Sequence, residues 1–220
     1  MNLFHLNSRT LIELPHMNTL NGFDCDNERG YCEYYVQKAV LSSDPHTTND
    51  YILMINQGNV VILNFRGLEP TIGRIVEGVP SEFICGMQLY IVHSRGELFV
   101  ITRDGICNHP ETKTYGVDEF VASKVDVDNE NDEEVVDDLE NRSLFLGFSA
   151  SLAVEQYRCK ANHIYFTDDC STADHFSEKG GGKDMDIYNL LDDTIEPHYT
   201  GESYHRFSPP IWIFNTPFSV

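Results

Sequence analysis

The sequence has no apolar run long enough to cross a bilayer, which takes ~18 to 20 residues. Its first residues, Met1-Asn2-Leu3-Phe4-His5, show no basic stretch leading into an apolar core and a small-residue cleavage site. Nothing marks secretion, and the cytosol or nucleus is the expected compartment. Positive charge is scarce: 15 Lys plus Arg stand against 35 Asp plus Glu, a formal charge of -20. Such a chain repels phosphate, so neither nucleic acid nor an anionic membrane is expected as a partner; a basic protein fits better. The six cysteines, Cys25, Cys32, Cys85, Cys107, Cys159 and Cys170, form no C-x-x-C pair. Without a leader they read as reduced thiols and not as a disulfide framework. Long helical periodicity is also missing. Only Ser151 to Tyr157 and Tyr31 to Leu41 look helical, and the second reads equally as a strand.

What is present is a strand-and-turn chain with material for a core. Hydrophobic residues make up 41%, with 13 Phe and 11 Tyr, so most of the chain is not disordered by composition. Short β-branched or aromatic runs alternate with Gly, Asn and Asp. Tyr51 to Asn56 and Asn59 to Phe65 flank Gln57-Gly58 as a hairpin. Gln88 to His93 and Glu97 to Arg103 flank Ser94-Arg95-Gly96, where Gly96 supplies the tolerance of positive φ that the turn needs. Ser143 to Phe148, His163 to Thr167, Met185 to Leu190 and Ile211 to Phe214 continue the series. Many short strands with regular turns predict an all-β fold, and a β-propeller of about five blades fits this length at ~40 to 45 residues per blade. Strand signals run on both sides of residues 126–140, so one domain over 1–220 is expected. That segment carries nine carboxylates and no base, and it reads as a solvated, disordered acidic loop. Ser177 to Lys183, with Gly180-Gly181-Gly182, reads as a second flexible stretch.

Each candidate for chemistry meets a plainer reading. Counted from Asp126, a calcium loop would have Asp128 and Glu130 in place, but Asn131 stands where Gly is needed and Asp137 where Glu is needed. Cys159, His163, Cys170 and His175 are zinc-compatible types, yet they alternate where structural zinc uses close pairs. Gly147-Phe148-Ser149-Ala150-Ser151 misses the last Gly of a nucleophile elbow, and no α/β alternation surrounds it. Lys179-Gly180-Gly181-Gly182-Lys183-Asp184 lacks the first Gly and the hydroxyl residue of a phosphate loop. Asp168-Asp169, adjacent on a strand end, would point to opposite faces. No catalytic residue, metal or cofactor is assigned on these grounds.

Read in order, the segments resemble the KIB-type β-propeller domain that follows the F-box in many plant F-box proteins. His5-Leu6-Asn7-Ser8-Arg9-Thr10-Leu11-Ile12-Glu13-Leu14-Pro15 resembles the family's opening, and Lys38-Ala39-Val40-Leu41-Ser42-Ser43 its second phrase. The Gln88 to Arg103 hairpin resembles its central one. Asn141-Arg142-Ser143-Leu144-Phe145-Leu146-Gly147, Asn162 to Asp169, Asp184 to Tyr188, Thr194 to Pro197 and Ser208-Pro209-Pro210-Ile211-Trp212-Ile213 complete the set. Within these phrases Ile164, Phe166 and Ile187 are spaced as core-facing strand residues, Asp168 and Gly96 serve turns, and Trp212 anchors a closing strand.

The resemblance implies the target-binding part of a ubiquitin-ligase adaptor, holding an unknown protein through its loops. The chain starts at the family's Leu-Asn-Pro phrase, so the F-box and the strands before that phrase are expected to be absent. Docking on the ligase adaptor is then not expected, and the first blade would be incomplete, with an open edge. A truncated or decoy fragment is the alternative, and a hydrolase using Ser149 ranks behind both.

Overall fold

The computed structural model describes residues 2–5, 10–13, 36–41, 52–57, 60–62, 65–66, 88–104, 116–126, 133–147, 151–155, 159–168, 184–198 and 211–213. Among the described residues every regular element is a β-strand. The chain divides into two compact units: Met1–Val79 with Val125–Asp132, and Pro80–Lys124 with Glu133–Val220.

In the first unit β1 (Asn2–His5) and β2 (Thr10–Glu13) pair antiparallel, with Phe4 opposite Leu11. A second sheet is built on β4 (Ile52–Gln57), flanked by β3 (Val36–Leu41) on one side and by β5 (Val60–Ile62) and β6 (Phe65–Arg66) on the other. The β4–β5 pair is the hairpin expected around Gln57-Gly58, and Val36–Leu41 resolves as strand. β-Branched and aliphatic residues fill β3 to β5, which suits a pleated surface better than a helix.

The second unit holds two sheets. β7 (Gln88–Ser94), β8 (Glu97–Asp104), β9 (Glu119–Val125) and β10 (Glu133–Val135) lie side by side in chain order. The β7–β8 hairpin turns at Arg95, φ 53°, and Gly96, φ 79°. Two successive left-handed residues make the turn whose twist matches that of the flanking strands. β11 (Ser143–Leu146), β12 (Ser151–Val154), β13 (His163–Phe166), β14 (Asp186–Asn189) and β15 (Thr194–Pro197) form a five-stranded sheet in the order β12-β11-β13-β14-β15. All its neighbours are antiparallel except β11 and β13, which run parallel with Leu144 opposite Ile164.

These two sheets share one core. Tyr90 and Val92 of β7, Phe99 and Ile101 of β8, Phe120 and Ala122 of β9, Leu144 and Leu146 of β11, Ile164 and Phe166 of β13, and Tyr188 of β14 are all buried in it. Phe120 joins the sheets through rings, 5.1 Å from Phe166 and 5.2 Å from Tyr188. The opposite faces are buried too. Ile91, Leu98 and Val100 alternate with the core residues of the first sheet and are equally enclosed. Phe145, Tyr165 and Ile187 do the same on the second. Strands covered on both faces read as continuous apolar runs, as Tyr90-Ile91-Val92 and Leu98-Phe99-Val100-Ile101 do. A two-sheet sandwich buries one face of each sheet; stacked propeller blades bury both.

Three expectations change. Ser151 to Val154 is strand β12 and not helix, because pairing with β11 decides a short segment that has too few residues to sustain a helix by itself. Ile211, Trp212 and Ile213 belong to no strand. The acidic segment is not a solvated loop throughout. Its residues 133–135 form strand β10 instead, the Val136 amide bonds the Ala122 carbonyl at 2.8 Å, and Leu139 is fully buried. Val135, Val136 and Leu139 interrupt the charge run and supply that pairing and burial, while residues 127–132 lie outside the described residues. Ile187 is buried as expected, in the cluster with Phe145 and Tyr165. The register sets Tyr188 opposite Ile164 and Ile187 opposite Tyr165, so it is Tyr188 that joins the core between the sheets.

Candidate functional site

The most conspicuous polar centre was missed from sequence: Arg103, on β8, with no solvent exposure. Alternation along β8 puts Phe99, Ile101 and Arg103 on one face, so a base occupies a core position. A buried charge needs partners, and Arg103 has them. Its Nη2 meets Asp184 Oδ2 at 2.6 Å. Its Nη1 donates to the Thr167 carbonyl at 3.0 Å and to the Tyr90 hydroxyl at 3.3 Å. That hydroxyl donates in turn to Gln88 Oε1 at 2.8 Å. The guanidinium stacks 4.8 Å from the centre of the Phe166 ring and 5.8 Å from that of Phe120, an arrangement Arg favours over Lys.

Asp184 was the terminal residue of the rejected phosphate loop; it is instead this arginine's counter-ion. Burial raises its pKa above the usual carboxylate value, Arg103 pulls it back, and the nearby charges of Asp168 and Asp186 raise it again. Asp168 is buried at the end of β13. The centre ties β7, β8 and β13 to the residues before β14. Its geometry serves cohesion of the two sheets.

A second polar group lies at the rim. Glu97, next to the Gly96 turn, accepts from Lys124 Nζ and Arg142 Nη1, each at 2.5 Å. These bonds hold its carboxyl below its usual pKa. Arg142 is buried, lies 4.7 Å over the Phe99 ring and donates Nε to the Leu139 carbonyl at 2.9 Å. Arg95 pairs with Glu155 and Glu140 across the exposed surface. Lys160 pairs with Glu196. Arg95, Lys124, Arg142 and Lys160 are thus all engaged with acids.

The remaining sequence candidates do not converge. Cys159 is half-buried against the Phe145–Tyr165 cluster, and His163 directs Nδ1 to the Ala161 carbonyl at 2.6 Å. Cys170 and His175 lie outside the described residues, as do Ser149, Asp169, Lys179 to Lys183, and Asp128, Glu130 and Asn131 of the calcium reading. Among the described residues no three His, Cys, Asp or Glu side chains gather as metal ligands. Among them, too, no helix is long and apolar enough to cross a membrane.

Among the described residues of the second unit, the exposed large apolar side chains are Val135, Leu191, Ile195, Ile211 and Ile213. Leu191 and Ile195 sit at the β14–β15 hairpin, among Asp192, Asp193 and Glu196. There Tyr188, whose pKa is raised by burial, donates its hydroxyl to Asp193 Oδ1 at 2.7 Å.

Sheets buried on both faces, stacked in chain order and built of short strands, define a β-propeller-type protein. The KIB1-4 β-propeller model matches residues 54–189, which is more than half of the chain. The chain belongs to the KIB1-4 β-propeller family. No curated protein and no solved structure matches it.

Proposed function

We propose that this chain is a protein-interaction domain, the target-holding part of an adaptor of the F-box type, with a basic protein segment as its target. The observation that carries this reading is its membership of a β-propeller family over residues 54–189. In such a fold the strands are consumed by packing, so recognition falls to loops and rims. The formal charge of -20 and the acids at the β14–β15 hairpin favour a Lys/Arg-rich segment over an acidic one. The charged centre at Arg103 is spent on holding sheets together, which leaves the surface as the working part.

The test starts with affinity capture on the immobilised chain, followed by titration of purified candidate targets at low and high salt. A basic target whose affinity falls at least tenfold between about 50 mM and about 500 mM salt is expected, since exposed charges are screened over a shorter distance at high ionic strength. Direct binding that ignores salt, or an acidic target, contradicts the basic-partner reading. Failure of any captured protein to bind directly contradicts the interaction reading itself.

A further inference from the structure

The outer face of the five-stranded sheet carries an aromatic cluster whose covering residue is not part of any strand. Phe145, Tyr165 and Ile187 are packed by Leu152, Val154, Cys159 and Trp212. The first two come from β12 of the same sheet and Cys159 from the turn before β13. Trp212, the only tryptophan in the chain, comes from residues 211–213, which pair with no strand.

The indole is received by a fitted seat. Its Nε1–H donates to the Leu146 carbonyl at 2.9 Å, an oxygen that also accepts the Thr167 amide at 3.0 Å. Both lone pairs of that carbonyl are therefore engaged. The ring stands edge-on to Phe145, centroids 5.0 Å apart at 88°, a favoured aromatic geometry. His198 flanks it at 6.4 Å and itself stands edge-on to Tyr165 at 5.9 Å. The floor is Gly147. A Cβ there would lie 2.5 Å from Thr167 Oγ1 and 3.3 Å from Trp212 Cδ1, so any side chain would clash with Thr167 and crowd the indole. By contrast Ile211 is 55% exposed and Ile213 78%. Of the three described residues of this segment, Trp212 is the one that is seated.

A rigid aromatic anchor in a seat, with a single oriented hydrogen bond and peripheral residues left in water, is how a peptide docks on a protein. We infer that the seat formed by Phe145, Leu146, Gly147, Thr167 and His198 is an indole-binding site. It is occupied in cis by Trp212 and takes an extended, tryptophan-anchored segment in trans once that anchor is withdrawn. The cis anchor competes at the high effective concentration of a tethered ligand, ~mM for a short linker. A trans segment therefore enters only when Trp212 leaves.

The probe is a fluorescein-labelled, capped peptide with the sequence of residues 209–214, followed by anisotropy on the full chain. The intact chain, Trp212→Ala and Trp212→Phe are compared, with circular dichroism to establish that each is folded. Saturable binding to Trp212→Ala is expected, at least tenfold tighter than to the intact chain. Methylating the peptide's indole nitrogen should weaken that binding severalfold, because the donor to Leu146 is gone. Trp212→Phe keeps the ring packing and serves where the alanine variant does not fold; its weaker cis anchor should also admit the peptide. Absence of binding to a folded variant, affinity equal to that of the intact chain, or indifference to methylation each overturns the proposal. None of these readouts depends on the target of the domain.

Discussion

Arg103 shows what one residue costs and returns in this fold. Burying a guanidinium is expensive, and it is tolerated because Asp184, Thr167, Tyr90 and two ring faces meet it. Removing one partner of such a group strands the other. We therefore expect Arg103→Met to cost about 3–5 kcal/mol at about pH 7, read by urea unfolding. The loss should depend on pH in a definite direction. Asp184 has a pKa raised by burial, so its contribution to stability is fully present below the ordinary carboxylate pKa and fades as pH rises through the raised value. Without Arg103 that pKa rises further, and the variant's deficit should shrink as pH falls from about 7 to about 5. A deficit that grows on acidification would mean the carboxylate is not buried against the arginine. The residue could not be found by pattern alone. Its position on the inward set of β8 was readable, but its counter-ion lies 81 residues away, and no local signal joins them.

At the scale of elements, what was legible was what is local. The β7–β8 hairpin followed from Gly96, since a left-handed turn position declares itself in one residue. A Cβ at Gly96 meets nothing within 4 Å, so a substitution there costs only backbone strain. Gly96→Ala should lower stability by roughly 1–2 kcal/mol, and thermal unfolding by about 2–8 °C, without altering the strand content. An unchanged melting temperature would place the turn elsewhere. What was not legible depends on pairing between distant segments. The face of Ile187 is set by its register against β13, and the parallel match of β11 to β13 cannot be read from either strand. The acidic run concealed β10 because nine carboxylates outweigh two valines in composition, whereas in the fold the Val136 amide bonds the Ala122 carbonyl and Leu139 is buried. Trp212 was rightly expected to anchor, but it does so from an irregular segment. Strand β15, terminal among the described strands of its sheet, is poorly suited to further pairing: it is short, and it carries Pro197, which has no N–H to offer.

At the scale of the whole molecule the sheets of the second unit stack as blades do, each buried on both faces, with one aromatic and aliphatic core shared between β7–β9 and β11–β14. Composition foretold a β-rich, acidic, well-cored chain, and it foretold nothing of a working surface, because exposed residues carry no packing signature. Shared burial makes a statement about cooperativity. Strands that bury one another should open together, while β10 and β15, at the margins of the described sheets, should fray first. Hydrogen–deuterium exchange on the full chain, resolved by peptide, tests this most directly. The account predicts that amides of β7, β8, β11, β13 and β14 exchange slowly and in one common step, with β10 and β15 faster. Rapid exchange throughout these strands, or separate steps for residues 88–104 and 143–189, would contradict a core shared by two stacked blades.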